Sequence, residues 1–295
     1  MNEFARCHPL VNFFYFAFVI GFSIFFMHPI CLAISISAGA VYAVLLGGKK
    51  TVRMQLMYLL PLVLLMVVMN GAINHRGATI LCYLPSGNPL TLESVLYGMA
   101  AAGMLAAVVC HFSCLHHIMT SDKLLYLFGR ILPSLSLVFS MVLRFVPRLS
   151  AELKEVRTAQ KCIGRDVTDG RFLQKMKNGM KIFSVMLSRS LENAPITADS
   201  MKSRGFGLPH RTAYTCFVFD ARDAKMLAVV LCAAAYVLAG SLRGVLTFTY
   251  FPTVSGFVCN AYTISLMLAY AVLCFLPIGF ELREVIRWKK LQSKM

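Results

Sequence analysis

The sequence predicts an all-α integral membrane protein. It has about six transmembrane helices and, between the fourth and fifth, a cytoplasmic or interfacial pair of long amphipathic helices ending in short helices. Three observations carry this. Hydrophobic residues make up 58% of the 295 and charged residues 14%, with a mean hydropathy of +0.69, far from the balance of a soluble domain. Six apolar runs approach the roughly 20 residues that cross about 30 Å of hydrocarbon. Eighteen of the 29 Lys and Arg residues lie in one stretch, His116 to Lys225.

In chain order the apolar runs are about Val11–Met27, Pro29–Leu46, Met54–Ile73, Leu92–Cys114, Met226–Leu242 and Asn260–Phe280, the first two joined tightly at Met27-His28-Pro29. Arg6 before an apolar run resembles the start of a signal peptide. The run continues past Pro29 without a small-x-small cleavage site, so it reads as a retained anchor. Placing the N-terminus inside puts Lys49, Lys50, Arg53, the whole basic stretch and the tail residues Arg283, Arg287, Lys289, Lys290 and Lys294 in the cytoplasm. Only Arg76 and Arg243 stay outside, which satisfies the rule that cytoplasmic loops carry the Lys and Arg excess. The expectation is a multi-pass protein of the cell membrane with both termini cytoplasmic.

The loop from Asn74 to Thr91 holds Arg76-Gly77 and Pro85-Ser86-Gly87-Asn88-Pro89 around an apolar centre, the pattern of a small hairpin or re-entrant piece. Ile131–Val146 is apolar enough for a seventh crossing. It is short, contains Pro133, Ser134, Ser136, Ser140 and Arg144, and has basic flanks, which suits a helix in the interface or packed on other helices.

Within the basic stretch, Leu149, Leu153, Val156, Gln160 and Ile163 recur at steps of three and four, predicting an amphipathic helix stopped at Gly164. A second places Phe172, Met176, Met180, Phe183, Leu187 and Leu191 on one stripe and runs to about Ala194, where Pro195 should end it. A short third helix is expected next, started by Thr197 or Asp199 and stopped in the left-handed region at Gly205. Lys202 and Arg204 fall in its last turn. A planar five-donor guanidinium there suits a partner's carboxylates; lysine and arginine in a last turn are also ordinary complements of the helix dipole.

This ordering resembles the transmembrane T component of energy-coupling-factor (ECF) importers, the family that includes the CbiQ-type proteins of cobalt uptake. The likeness is carried by a hydrophobic block, Leu143-Arg144-Phe145-Val146-Pro147 before a charged helix, Ala159-Gln160-Lys161, a second amphipathic helix, Ser203-Arg204-Gly205 and closing membrane helices. It implies two short coupling helices, each ending in an Ala-Arg-Gly-like motif whose arginine docks on one of two ATPase subunits, and a separate small membrane subunit that binds the vitamin or transition metal. Ser203, Arg204 and Gly205 match the second motif. At the first, Ile163 stands where the arginine belongs, before Gly164, and Arg165 falls just past it. Either Arg165 or Lys161 substitutes, or that contact is apolar.

The resemblance divides the chain into an N-terminal membrane block (1–115, four spans), a coupling region (116–225) and a C-terminal membrane block with basic tail (226–295). Met176, Met180, Phe183 and Leu187 become the expected surface for the binding subunit, since methionine adapts to varied partners; the same stripe could equally be internal packing.

Other chemistry finds little support. Gly47-Gly-Lys-Lys-Thr51 lacks the spacing of a phosphate loop, and neither a nucleophile-elbow nor a zinc-helix motif occurs. The spans lack the interior carboxylates of an ion-coupled carrier, with Glu93 near one end and Glu281 beyond another. No nucleic-acid motif accompanies the +16 charge, which answers to headgroups and orientation. No catalytic residue, resident metal or cofactor is expected, and any ATP would be hydrolysed by partner chains. The one alternative is a membrane scaffold or metal-dependent enzyme around His111, Cys114, His116 and His117, because histidine and cysteine are metal ligands.

Overall fold

The computed structural model describes residues 3–83, 89–129, 133–164, 172–206, 217–256 and 260–292. These are nearly all helical: α1 (Glu3–Arg6), α2 (Pro9–Phe25), α3 (Pro29–Ile73), α4 (Leu92–Ile118), α5 (Ser121–Gly129), α6 (Pro133–Cys162), α7 (Phe172–Ser203), α8 (Ala221–Leu242) and α9 (Ala261–Gln292). A hairpin of β1 (Ile80–Tyr83) and β2 (Pro89–Thr91) joins α3 to α4, pairing Ile80 with Thr91 and Tyr83 with Pro89. The chain forms two compact units, Met1–Leu124 with Phe217–Met295, and Leu125–Cys216.

In the first unit the helix starts are set by the same device twice. His8 and His28 stand immediately before Pro9 and Pro29, and each Nδ1 accepts the N–H two residues on, Leu10 and Ile30, at 3.3 Å. Proline at the first helical position supplies the right φ, and its missing N–H is one the helix start leaves unpaired anyway. α2 ends at Phe25, where the Phe26 N–H donates to the Phe22 carbonyl at 2.9 Å, and its 17 residues match the length of the expected run Val11–Met27 two positions earlier in the chain. The long α3 is broken at Gly48, whose φ of 68° and ψ of −174° only glycine adopts readily.

Four described helical stretches are long and apolar enough to cross a membrane: Pro29–Gly48, Leu92–Ile118, Ala221–Leu242 and Ala261–Arg287. Pro9–Phe25 and Met57–Ile73 are apolar but shorter. The fold is an all-α membrane protein in which two of the six anticipated spans fall short of full crossing length. Residues 133–146, anticipated as a helix in the interface or packed on other helices, are the start of α6, which runs unbroken through Pro147.

Small residues bring α3 and α4 together. Gly98, Ala102, Ala106 and Ala107 are buried on α4, and a Cβ at Gly98 would lie 3.0 Å from the Cβ of Asn70. Without side-chain bulk the backbones approach closely, the usual way helices gain dispersion contacts in lipid. The main core joins α1, α2, α8 and α9 through Phe4, Tyr15, Phe16, Val230, Leu266 and Tyr270. Four of the hydroxyls inside it are paired, Tyr15 Oη donating to the Cys274 carbonyl at 3.0 Å and Ser23 bonding Ser35 at 2.6 Å and Tyr270 at 3.3 Å, while the buried Tyr42 Oη finds no partner among the described residues.

Candidate functional site

The second unit is built around α6 and α7. Val156, Ile182 and Met186 are buried together with Leu149 against them, so a narrow apolar seam holds the pair. The residues lining two grooves along the seam fix its sense. Val142, Phe145 and Glu152 share one with Ser190, Asn193 and Thr197, while Leu153 and Arg157 share the other with Gly179 and Ile182. The helices therefore run antiparallel, and their C-terminal ends lie at opposite poles of the pair. At the first groove, Arg148 Nε donates to Glu152 Oε1 in an i, i+4 pair at 3.1 Å, a contact worth about 0.3–0.5 kcal/mol.

The anticipated stripe Met176, Met180, Phe183 and Leu187 is on the other side of the matter. These side chains are 48–67% exposed, and the seam instead uses the neighbouring arc of Ile182 and Met186. Phe183 and Leu187 do line the larger groove, about 750 Å³, with Val146, Leu149 and Leu153. Within the α6–α7 pair the stripe thus forms an open apolar surface beside a cleft.

The expected helix end at Ala194 does not occur. Pro195 lies inside α7, which continues to Ser203, so Thr197 and Asp199 are interior residues and not caps. Proline removes a single backbone donor; the turns on either side keep theirs, and Thr197 Oγ1 adds a bond to the Asn193 carbonyl at 2.8 Å. The intended short helix is the last two turns of one rigid rod.

Both C-terminal ends stop as anticipated. Gly164 has φ 74° and Gly205 φ 80°. The Gly164 N–H donates to the Lys161 carbonyl at 3.0 Å, the Gly205 N–H to Lys202 at 3.0 Å, and the Phe206 N–H back to Met201 at 3.0 Å. At Gly205 this is the complete two-bond stop of a helix in the left-handed region. Arg204 precedes the glycine, exposed, with no hydrogen bond or ion pair for its guanidinium among the described residues. Ser203 Oγ is turned back onto the Ser200 carbonyl at 2.9 Å. Ile163 holds the same place before Gly164 and is 65% exposed. Arg165 lies outside the described residues.

The His111 cluster does not assemble. His111 is buried with Nδ1 2.8 Å from the Ala107 carbonyl, Cys114 Sγ donates to the Gly39 carbonyl at 3.7 Å, and His116 and His117 are exposed. Among the described residues no three His, Cys, Asp or Glu groups stand together as a metal site.

Sequence reasoning passed over a polar knot near the N-terminus. Lys123, 7% exposed, donates to the Ala5 carbonyl, and the Asn12 amide, turned to fit its neighbours, accepts from Lys123 Nζ at 3.0 Å and donates to the Phe4 carbonyl at 3.0 Å. Burial pulls the Lys123 ammonium below its usual pKa. Arg222 reaches Glu3 at 3.6 Å. Asp223, in the first turn of α8, is buried at 4% exposure. Four-residue α1 carries no periodic signal, so nothing local announced this knot.

The sequence model of the CbiQ family, described as cobalt transport protein, matches residues 4–214. Proteins named energy-coupling factor transporter transmembrane protein EcfT are similar over shorter stretches. That of Streptococcus thermophilus is 31% identical over 98 residues, 33% of this chain and 37% of its own. That of Bacillus selenitireducens is 32% identical over 127 residues, 42% of this chain and 47% of its own, and that of Lactobacillus helveticus 35% over 95 residues, 32% and 34%. The chain spans between about a third and a half of the length of these relatives.

Proposed function

This chain belongs to the CbiQ cobalt transport protein family, and from that premise we propose that it is the membrane coupling subunit, the T component, of an ECF-type importer for a vitamin or transition metal. It hydrolyses no ATP itself. Two ATP-binding-cassette subunits dock at the cytoplasmic ends of α6 and α7, and a small membrane protein supplies the substrate site. Residues 1–115 and 226–295 are its membrane blocks, 116–225 its coupling region, and both termini face the cytoplasm of the cell membrane.

The observation that carries this reading is Arg204: an exposed guanidinium without a partner among the described residues, fixed at the tip of a 32-residue helix by a complete left-handed stop. At 1.5 Å per residue that helix is about 48 Å long. A stiff rod passes a push at one end to its flank, and a planar fork of donors grips paired carboxylates in a defined orientation. The open stripe of Met176, Met180, Phe183 and Leu187 gives the flank a surface on which a binding subunit can seat and slide. Ser203 and Gly205 serve the docking end by closing the helix. At the other end the exposed Ile163, closed off by Gly164, forms the second contact.

Arg204→Glu is expected to strip at least one ATPase from the detergent-purified complex and to cut substrate uptake at least tenfold, with membrane insertion unchanged. Normal uptake by this variant would reduce Arg204 to a dipole complement. Wild-type protein that repeatedly leaves the membrane with no ATPase would end the coupling reading altogether.

A further inference from the structure

The two ends of the helix pair present opposite chemistry on one backbone frame. Ile163 N–H donates to the Gln160 carbonyl at 3.2 Å and Gly164 N–H to Lys161 at 3.0 Å; Arg204 N–H donates to Met201 at 3.1 Å and Gly205 N–H to Lys202 at 3.0 Å. The glycine φ angles differ by only 6° (80° − 74°). Ile163 and Arg204 are therefore positional equivalents, each the last residue before the chain turns left-handed, and each projects from a helix tip at its own pole of the pair. One is a branched hydrocarbon held 65% in solvent. The other is a permanent cation with five donors.

A single kind of groove cannot serve both. Carboxylates placed to meet the Arg204 fork would be desolvated by Ile163 without a counter-charge or donor, and a dry pocket shaped for isoleucine would strand a guanidinium. A site that fits one rejects the other, which is how unpaired polar groups create specificity. An aliphatic tip gains only by being covered, through apolar area removed from water.

We infer that Ile163 is a partner-selecting residue: the ATPase at the α6 end receives it in an apolar pocket, the ATPase at the α7 end receives Arg204 in a carboxylate-lined groove, and the two cassettes are therefore different proteins. This rests on the coupling reading above. The arginine that follows Gly164 is not the docking group at its end.

The test uses tagged full-length protein purified in detergent from its own membranes, with copurifying subunits identified and counted by mass spectrometry. Two distinct cassettes in equal amounts are expected. Ile163→Arg should lower recovery of one at least tenfold, Arg204→Ile should lower recovery of the other by as much, and Arg165→Glu should retain both. Gel-filtration position of each variant, matched to wild type, shows that it is folded. A single cassette present in two copies, loss of the same cassette from both variants, or loss of a cassette from Arg165→Glu overturns the inference while leaving the coupling reading intact. Absence of every ATPase from the wild-type preparation instead overturns the coupling reading on which it stands.

Discussion

His8 shows how much one side chain can hold. Its Nδ1 caps α2 by accepting the Leu10 N–H, and its ring meets Phe219 edge-on at 5.1 Å. Burial lowers its pKa, outweighing the opposing pull of Asp223. The neutral ring is thus the form the fold requires, because protonation puts a hydrogen on the accepting nitrogen. The sign follows from linkage. With the folded pKa below the unfolded value, the unfolded chain binds more protons through that window, so stability is present above the ordinary histidine pKa and is lost as pH falls below it. Thermal unfolding in detergent should show a loss of up to about 1 kcal/mol attributable to this cap, and His8→Asn, which keeps an acceptor that does not titrate, should flatten that part of the pH profile. An identical profile for the variant would mean that the cap is not what acid breaks. The polar knot of Lys123, Asn12 and Asp223 lies close by. None of these residues was distinguishable in the sequence from a solvated helix end, since their burial comes from α1, α2, α5 and α8 meeting.

Among the elements, α6 and α7 were legible in outline and misjudged in extent. Apolar steps of three and four located both, and Gly164 and Gly205 were foreseen as stops. Proline at 147 and 195 does not break either helix, because one lost donor costs less than the contacts that a rod retains on both sides. Replacing Pro195 with alanine should therefore stabilise α7, by about 1–3 kcal/mol on the helix-interior scale, read as a rise in the unfolding temperature. Gly205→Ala should act in the opposite sense, destabilising by about 1–2 kcal/mol, since a Cβ at φ 80° is strained. If instead Gly205→Ala is neutral in unfolding, the left-handed stop is not maintained in solution. At α3 the break at Gly48 falls between the runs Pro29–Leu46 and Met54–Ile73, which the sequence had separated by a basic loop; what the sequence did not show is that the chain is helical on both sides of that one glycine.

For the molecule as a whole, the charge distribution makes a directional prediction. Cys82, on the β1 strand, and Cys162, at the end of α6, are both exposed free thiols. With the N-terminus inside, a membrane-impermeant maleimide should label Cys82 in intact cells and Cys162 only in inverted vesicles, scored with single-cysteine variants. Labelling of Cys162 from outside would reverse the orientation.

Composition and periodicity determined by themselves that the chain is an all-α membrane protein with one long basic, helical stretch, and that two glycines end its helices. Those are properties of local runs: hydrocarbon length, the 3.6-residue repeat and the φ that a residue tolerates. The tertiary structure alone decided which apolar arc of α7 packs and which stays open. Ile182 and Met186 lie beside Phe183 and Leu187 on one continuous greasy face, and only the approach of Val156 and Leu149 from α6 separates them. It decided likewise that Ile163 and Arg204 are equivalent, because equivalence is a matter of backbone geometry at two helix ends 41 residues apart, which no local pattern can compare.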